Sequence, residues 1–380
     1  MHKKRIVFVT SDLYYVKGFL SRQIKLASTK YEVYLIVNAD ITEAARVIDN
    51  CGSTLNFDIQ RKISVFKDLD SMLRLFFFFY KIKPDIVHST TPKSGLLAML
   101  AAFLARVPFK LHTFTGQVWQ TKKGLFRLFL IFLDKITARC ANFVLTDSHS
   151  QRQVLIDHKV VSSNKSGVLG NGSICGVDLV RFNTSKDSRQ FICEKYSIPT
   201  DSVILLYMAR FTVDKGAVLM ADAFAKIVNN TIINTYLLMI GPDEENLTAY
   251  INKTLSSYSR NYSILSYTDI PEKFFQAADI FCLPSYREGF PMVLLNSAAC
   301  GLPVVASRIY GSSDAVIENE TALMFESGNV NDFSEKLIYL VDNENLRKDF
   351  STKSREFSVS NFSEDFVNSK LMELYLNKTI

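Results

Sequence analysis

Two doubly wound α/β domains, each built on a parallel sheet, are what this 380-residue chain predicts, and three observations carry that prediction. Length is the first, since roughly 100 to 200 residues make a domain. Composition is the second: 48% apolar and 22% charged residues describe a globular chain with a sizeable core and exclude disordered, collagen-like and disulfide-scaffold classes. The third is rhythm. Short β-branched or aromatic runs alternate with longer helical windows, the pattern of βαβ units.

In the amino-terminal half the strand candidates are RIVFVT, YEVYLIV, DIVHST, FKLHTFT and NFVLTDS, separated by helical windows at 18–30, 41–50, 94–106 and 124–141. In the second half they are SVILLYMAR, TYLLMIG, YSILSY, DIFCLPS and PVVAS, with helical windows at 216–229, 244–257, 271–278 and 292–300. The boundary falls in NGSICGVDLVRFNTSKDS, rich in Gly, Ser, Asn and Asp and without sustained period. It gives an amino-terminal domain of 1–185, a second of 186–360, and a final helix in 361–380 that returns to the first domain. Two such domains are expected to face a central cleft at the carboxyl ends of their strands, where open α/β sheets bind ligands. The phenylalanine run Phe76–Phe79 sits in a helical window and reads as core.

Charge separates the halves. Residues 1–150 hold 22 basic and 11 acidic residues, net +11, while residues 151–380 hold 22 and 27, net −5. A basic half suits nucleic acid, an anionic membrane or a phosphorylated acceptor, and net charge does not choose among them. Six cysteines without a CxxC pair read as reduced cytosolic thiols. The apolar run Ile6–Val9 is too short for a signal peptide, and no stretch reaches the roughly 18 residues that span a bilayer.

The richest segment is SYREGFPMVLLNSAACGLPVVAS, 285–307. A strand ends in a loop with Glu288 and Gly289, Pro291 suits the first turn of a helix, and Gly301 and Pro303 stop it. Backbone N–H groups at such a helix start form an anion site. A carboxylate there can accept several sugar hydroxyls, which makes Glu288 the first candidate; alone, an Arg-Glu-Gly loop is merely solvated charge. In MARFTVDKG, 208–216, Arg210 and Lys215 sit five residues apart across a strand-to-helix loop. Both can reach one diphosphate, Arg as a fork and Lys as a point charge, against the plainer reading of surface charges near Asp214.

Arg210 with Lys215-Gly216, Glu288-Gly289-Phe290-Pro291, Ala299-Cys300-Gly301-Leu302-Pro303 and Gly311 together resemble the retaining glycosyltransferase family 4 pattern on a GT-B fold. HTFTGQVW at 112–119, the basic helix after it and CGVD at 175–178 resemble the bacterial subgroup that builds O-antigen and capsular polysaccharides on a lipid carrier. The resemblance implies a hexosyl- or N-acetylhexosaminyl-type transferase that moves a sugar from a nucleotide diphosphate, usually UDP-linked, to a polyprenyl-diphosphate-linked glycan. Arg210 and Lys215 then hold the diphosphate, Glu288 contacts the donor sugar, and backbone amides at Gly289, Phe290 and Pro291 complete its pocket. The family's second glutamate, which binds the ribose, is here Asn296: it keeps a hydrogen bond and loses the charge. Ala322 stands where the family usually has Gly.

In the first domain His112 closes a strand. A lone histidine there is more often structural, whereas the resemblance brings it to the donor sugar. Gly18, in VKGF before a helix, resembles the family's glycine loop but lacks its usual partner glycine, and an ordinary turn glycine is the alternative. His2, His88, His149 and His158 show no metal-ligand spacing, Asp68-Leu69-Asp70 reads as a helix cap, and no GxGxxG follows the first strand. Neither metal nor cofactor is expected, nor nucleic acid as partner. The acidic run Asp243-Glu244-Glu245 reads as the start of a helix.

Segment 121–139 carries Lys122, Lys123, Arg127, Lys135 and Arg139 against the single acid Asp134, with Leu125, Phe126, Phe129, Leu130, Phe132 and Leu133 at near-helical spacing. It either packs on the sheet with its bases in water or rests on an anionic membrane. The +11 half and the lipid-linked acceptor favour a cytoplasmic protein held peripherally at the inner face of the cytoplasmic membrane. Two rival functions stand beside the transferase: a nucleotide-sugar epimerase or phosphorylase on the same architecture, and a sugar-nucleotide-binding protein without turnover. The sequence offers no obvious nucleophile, so transfer with retention is expected to follow a front-face route rather than a covalent one.

Overall fold

The computed structural model describes residues 3–59, 64–185 and 187–378; His2 and the last two residues of the terminal helix window lie outside them. The chain divides into two compact units, Met1–Cys175 with Asp365–Ile380, and Gly176–Glu364.

The first unit runs β1 (Arg5–Val9), α1 (Leu13–Tyr15), a π-helical turn over Val16–Leu20, α2 (Ser21–Ser28), β2 (Glu32–Val37), α3 (Ile41–Val47), β3 (Ser53–Asn56), α4 (Val65–Ile82), β4 (Ile86–Thr90), α5 (Pro92–Leu104), β5 (Phe109–Phe114), α6 (Gly124–Cys140), β6 (Phe143–Thr146), α7 (His149–Asp157) and β7 (Ser166–Val168). Its sheet has the order β3-β2-β1-β4-β5-β6-β7, and every pairing is parallel. Strand β1 shows why both faces are covered. Successive side chains point to opposite faces, so Val7 and Val9 pack with Leu75 and Phe79 of α4 and Leu97 of α5, while Ile6 and Phe8 pack with Ile24 of α2 and with Leu371 and Tyr375 near the carboxyl terminus.

The second unit runs α8 (Asp187–Tyr196), β8 (Val203–Met208), α9 (Ala217–Asn230), β9 (Thr235–Ile240), α10 (Thr248–Thr254), β10 (Tyr262–Leu265), α11 (Pro271–Ala277), β11 (Ile280–Leu283), α12 (Met292–Ala299), β12 (Val304–Ser307), β13 (Ala322–Phe325), α13 (Val330–Asp342) and α14 (Glu344–Asn361). Its parallel sheet is ordered β10-β9-β8-β11-β12-β13. Again alternation builds two layers: Leu205 and Tyr207 face Met220 and Phe224 of α9, whereas Ile204 and Leu206 face Phe274 of α11 and Leu294 of α12. Both sheets reverse strand order beside their first strand, the point at which doubly wound folds bind ligands.

Helix α15 (Glu364–Lys378) completes the first unit: Val367, Leu371 and Tyr375 are fully buried, and the Tyr375 hydroxyl lies 2.5 Å from His88 Nδ1. Residues 176–185 go with the second unit rather than the first, because Val177 pairs with Ser363 and Phe182 enters the core around Phe275. The phenylalanine run is only partly core. Phe79 is buried, but Phe77 lies on the outer face of α4 and is 64% exposed.

Candidate functional site

The loop between β8 and α9 is fastened from below. Tyr207 is fully buried, and its hydroxyl shares its proton between the carbonyls of Arg210 at 3.1 Å and Lys215 at 3.2 Å. Burial, with the negative charge of Glu288 as a smaller cause, raises the phenol well above its ordinary range and keeps it a donor. Gly216 ends the loop at φ +72°, and a Cβ there would lie 2.0 Å from the Pro284 carbonyl, so this glycine lets the loop press against the exit of β11. The Asp214 carbonyl accepts the Tyr286 N–H at 2.9 Å, and the Asp214 carboxylate pairs with Arg287 at 3.3 Å.

That clamp brings Lys215 to Glu288. Their Nζ to Oε1 distance is 2.7 Å, with side chains 20% and 11% exposed. Glu288 and Gly289 are held in turn by the loop before Ser312, where Gly311 at φ +79° would place a Cβ 1.8 Å from the Gly289 carbonyl. The hydroxyls of Ser285, Ser307 and Ser312 are fully buried around these loops and make no hydrogen bond within the described protein, nor does Arg287 Nε. Buried polar groups without partners are uncommon and mark places where a ligand or solvent completes the bonding.

Helix α12 starts at Met292, with Pro291 at its cap, a residue whose side chain makes no capping hydrogen bond. The positive end of the helix dipole thus lies close to Glu288 in the chain. Pro291 has no N–H, so the backbone donors of this turn come from its neighbours. Phe290 is buried against Phe362, ring centroids 5.6 Å apart, and anchors the loop. Asn296 shares the partly exposed face of α12 with Met292 and Val293, while Leu294, Leu295 and Ser297 point inward. Ala322 opens β13 opposite Val304 without a positive φ, so alanine fits there without strain.

Arg210 pairs with Glu244 at 2.6 Å, both half-exposed. Here the sequence reading needs correction. The acidic run does not open a helix, because α10 starts only at Thr248. Asp243 instead accepts the N–H groups of Leu247 and Thr248, Glu244 holds Arg210, and Glu245 accepts the Val213 N–H at 2.8 Å. Tyr207, Glu244 and Glu245 were missed as positioning residues; the only signals were a tyrosine inside an apolar strand and an acidic run downstream of a Gly-Pro.

Two first-unit expectations are also corrected. His112 is 1% exposed and does not lie at an edge: Nδ1 is 2.8 Å from Ser89 Oγ, the ring meets Phe114 edge-on, and a Cβ on Gly95 would sit 2.2 Å from its Cε1. Burial lowers its pKa to about 3, so the imidazole is neutral and serves the packing of α5 on the sheet. Gly18 is not in a loop. It lies in the π-helical turn ahead of α2, and a Cβ there would meet nothing within 4 Å.

Helix α6 buries Ile131, Thr137 and Ala138, yet leaves Leu125, Phe126, Leu128, Phe129 and Phe132 exposed, Leu125 to 84%. Its one acid, Asp134, accepts the Trp119 Nε1–H at 2.8 Å, and burial raises its pKa to about 7. The native carboxyl thus keeps its proton where the unfolded one has lost it, so stability falls as pH rises from about 4 to 7 and levels off above. Asp134→Asn, which keeps an acceptor for Trp119, is expected to remove that slope and to gain up to about 4 kcal/mol at pH 8 with little change at pH 4. Denaturant unfolding of both proteins across this range checks it; parallel curves would contradict the burial argument.

Residues 188–357 match the model of the glycosyl transferases group 1 family, and residues 25–172 match the glycosyl transferase 4-like domain. The chain is 31% identical to the capsular polysaccharide biosynthesis glycosyltransferase CapM of Staphylococcus aureus, across 97% of this chain and 95% of that one. It is 27% identical to the UDP-Gal:alpha-D-GlcNAc-diphosphoundecaprenol alpha-1,3-galactosyltransferase of Escherichia coli, across 84% and 82%. HepE of Anabaena, solved in complex with UDP and glucose, matches in structure with a TM-score of 0.82 over 98% of this chain and 100% of HepE at 14% identity. That likeness concerns the GT-B fold.

Proposed function

The chain belongs to the group 1 glycosyltransferases, and on that premise we propose that it carries one sugar, with retention, from a UDP-linked donor to a glycan built on polyprenyl diphosphate in bacterial surface polysaccharide assembly. The observation that carries this reading is the Lys215–Glu288 pair at 2.7 Å, clamped between two strand exits beside the start of α12.

Lys215 and Arg210 neutralise the donor diphosphate, the start of α12 adds its N–H groups, and Glu288 accepts hydrogen bonds from the donor sugar. The bond between the anomeric carbon and the phosphate oxygen breaks, its electron pair leaving with the diphosphate. The acceptor oxygen bonds the same face of the anomeric carbon and passes its proton to a leaving phosphate oxygen. Preorganised charge stabilises the departing anion. Asn296 binds the ribose through a neutral hydrogen bond. The exposed apolar side of α6, flanked by Lys122, Lys123, Arg127 and Lys135, supports peripheral attachment to an anionic membrane. No described helix is long and apolar enough to cross a membrane.

The test is a panel of UDP- and GDP-sugars supplied to the purified protein with and without a polyprenyl-diphosphate-linked glycan. Nucleotide release and an extended glycan only when both substrates are present support transfer. Turnover of the nucleotide sugar alone, or thermal protection by UDP-sugars without any turnover, overturns it in favour of an epimerase or a binding protein.

A further inference from the structure

Helices α4, α5 and α6 pack side by side on one face of the first sheet, and between them lies a cavity of about 250 Å³. Its walls are mostly apolar: Leu96 and Leu97 from α5, Phe114 from the end of β5, Trp119, and Phe129 and Leu133 from α6. An engineered apolar cavity of about 150 Å³ holds benzene, so this one has room for about two five-carbon isoprene units. It opens outward. Phe129 and Val118 line it and are nonetheless 47% and 37% exposed, which joins it to the exposed apolar side of α6. Polar groups sit at its margin: Lys93 and Asp68 pair at 2.5 Å, and Asp134 is tied to Trp119. Beyond Gln120 and Thr121, Lys122 and Lys123 are solvent-exposed, and the Lys122 N–H bonds the Trp119 carbonyl at 3.2 Å.

We propose that this cavity is a binding site for the isoprenyl end of the lipid carrier, resting on the reading of a polyprenyl-diphosphate-linked acceptor. Three observations select that occupant. A methyl-branched, unsaturated chain matches a wall of aromatic rings and branched leucines. The mouth is continuous with the helix face assigned to the membrane, from which the chain enters without crossing water. Exposed lysines beside Trp119 suit an anionic headgroup left outside.

Trp119 is the only tryptophan of the chain and lines the cavity, so it reports occupancy directly. Farnesyl diphosphate, titrated below its micellar concentration, is expected to change Trp119 fluorescence saturably, while inorganic pyrophosphate leaves it unchanged and straight-chain dodecyl phosphate binds at least tenfold more weakly. Leu133→Phe, which fills the cavity, is expected to weaken farnesyl diphosphate binding at least tenfold. Val118→Phe narrows the mouth at a part-exposed position, gives the same loss, and remains informative if Leu133→Phe unfolds. No saturable change, equal response to dodecyl phosphate, or unaltered affinity in the filled variants that fold overturns the proposal. Because this binding needs no donor, its failure is distinguishable from failure of sugar transfer.

Discussion

Lys215→Ala and Glu288→Ala are each expected to lower the turnover number at least a hundredfold at saturating donor, the scale for losing a contact made in the transition state. The structure says why either alone suffices. The two side chains meet at 2.7 Å and are mostly withdrawn from water, so removing one leaves the other charge with its partner gone in a site that screens poorly. Lys215→Ala removes the point charge nearest the Glu288 carboxylate, and departing negative charge is then met only by Arg210 and the α12 amides. Glu288→Gln keeps the shape and a hydrogen-bond acceptor but not the charge, and is expected to fall between wild type and alanine. Single-turnover rates beside thermal unfolding curves decide the matter. Both alanine variants turning over within threefold of wild type, with folding intact, would remove the site from the second unit's loops.

Gly216→Ala and Gly311→Ala carry the second large effect, on stability first and function as its consequence. Each position has positive φ, which costs an L-residue roughly 1–2 kcal/mol, and each would drive a Cβ to 2.0 Å or 1.8 Å from a backbone carbonyl, an encounter no side-chain rotation relieves. We expect about 2–4 kcal/mol lost in each and, since the displaced carbonyls belong to Pro284 and Gly289, more than tenfold weaker UDP binding. Gly18→Ala is the internal comparison: its Cβ meets nothing, its backbone is helical, and it is expected to be neutral or to gain about 0.5 kcal/mol. Melting temperatures of the three variants read this out. An undisturbed Gly216→Ala would show that the two loops are not wedged together.

Much of this was legible in the sequence because parallel strands buried on both faces spell themselves as apolar runs. VILLYM, TYLLMI and IFCL could hardly be anything else. The strands that escaped reading are edge strands: STLN of β3, SGV of β7 and ALMF of β13 are three or four residues long, and the first is mostly polar. At the site, residue types and loop spacing singled out Lys215 and Glu288, and the structure adds that they are ion-paired. What spacing could not supply was partnership at long range. Arg210 meets Glu244, 34 residues on, and His112 meets Gly95 of the neighbouring helix. The burial of the histidine escaped reading for that reason, since one strand's sequence cannot show whether a helix roofs its end.

The last helix of the chain has a consequence for biogenesis. Val367, Leu371 and Tyr375 wall the sheet that begins at Arg5, so the unit synthesised first lacks part of its interior until that helix has been made. Residues 176–364, by contrast, are one contiguous stretch that needs no later segment for its interior. A chain cut after residue 364 would therefore keep every residue of its second unit and leave the apolar flank of the first, around Phe8 and Ile24, open to chaperones.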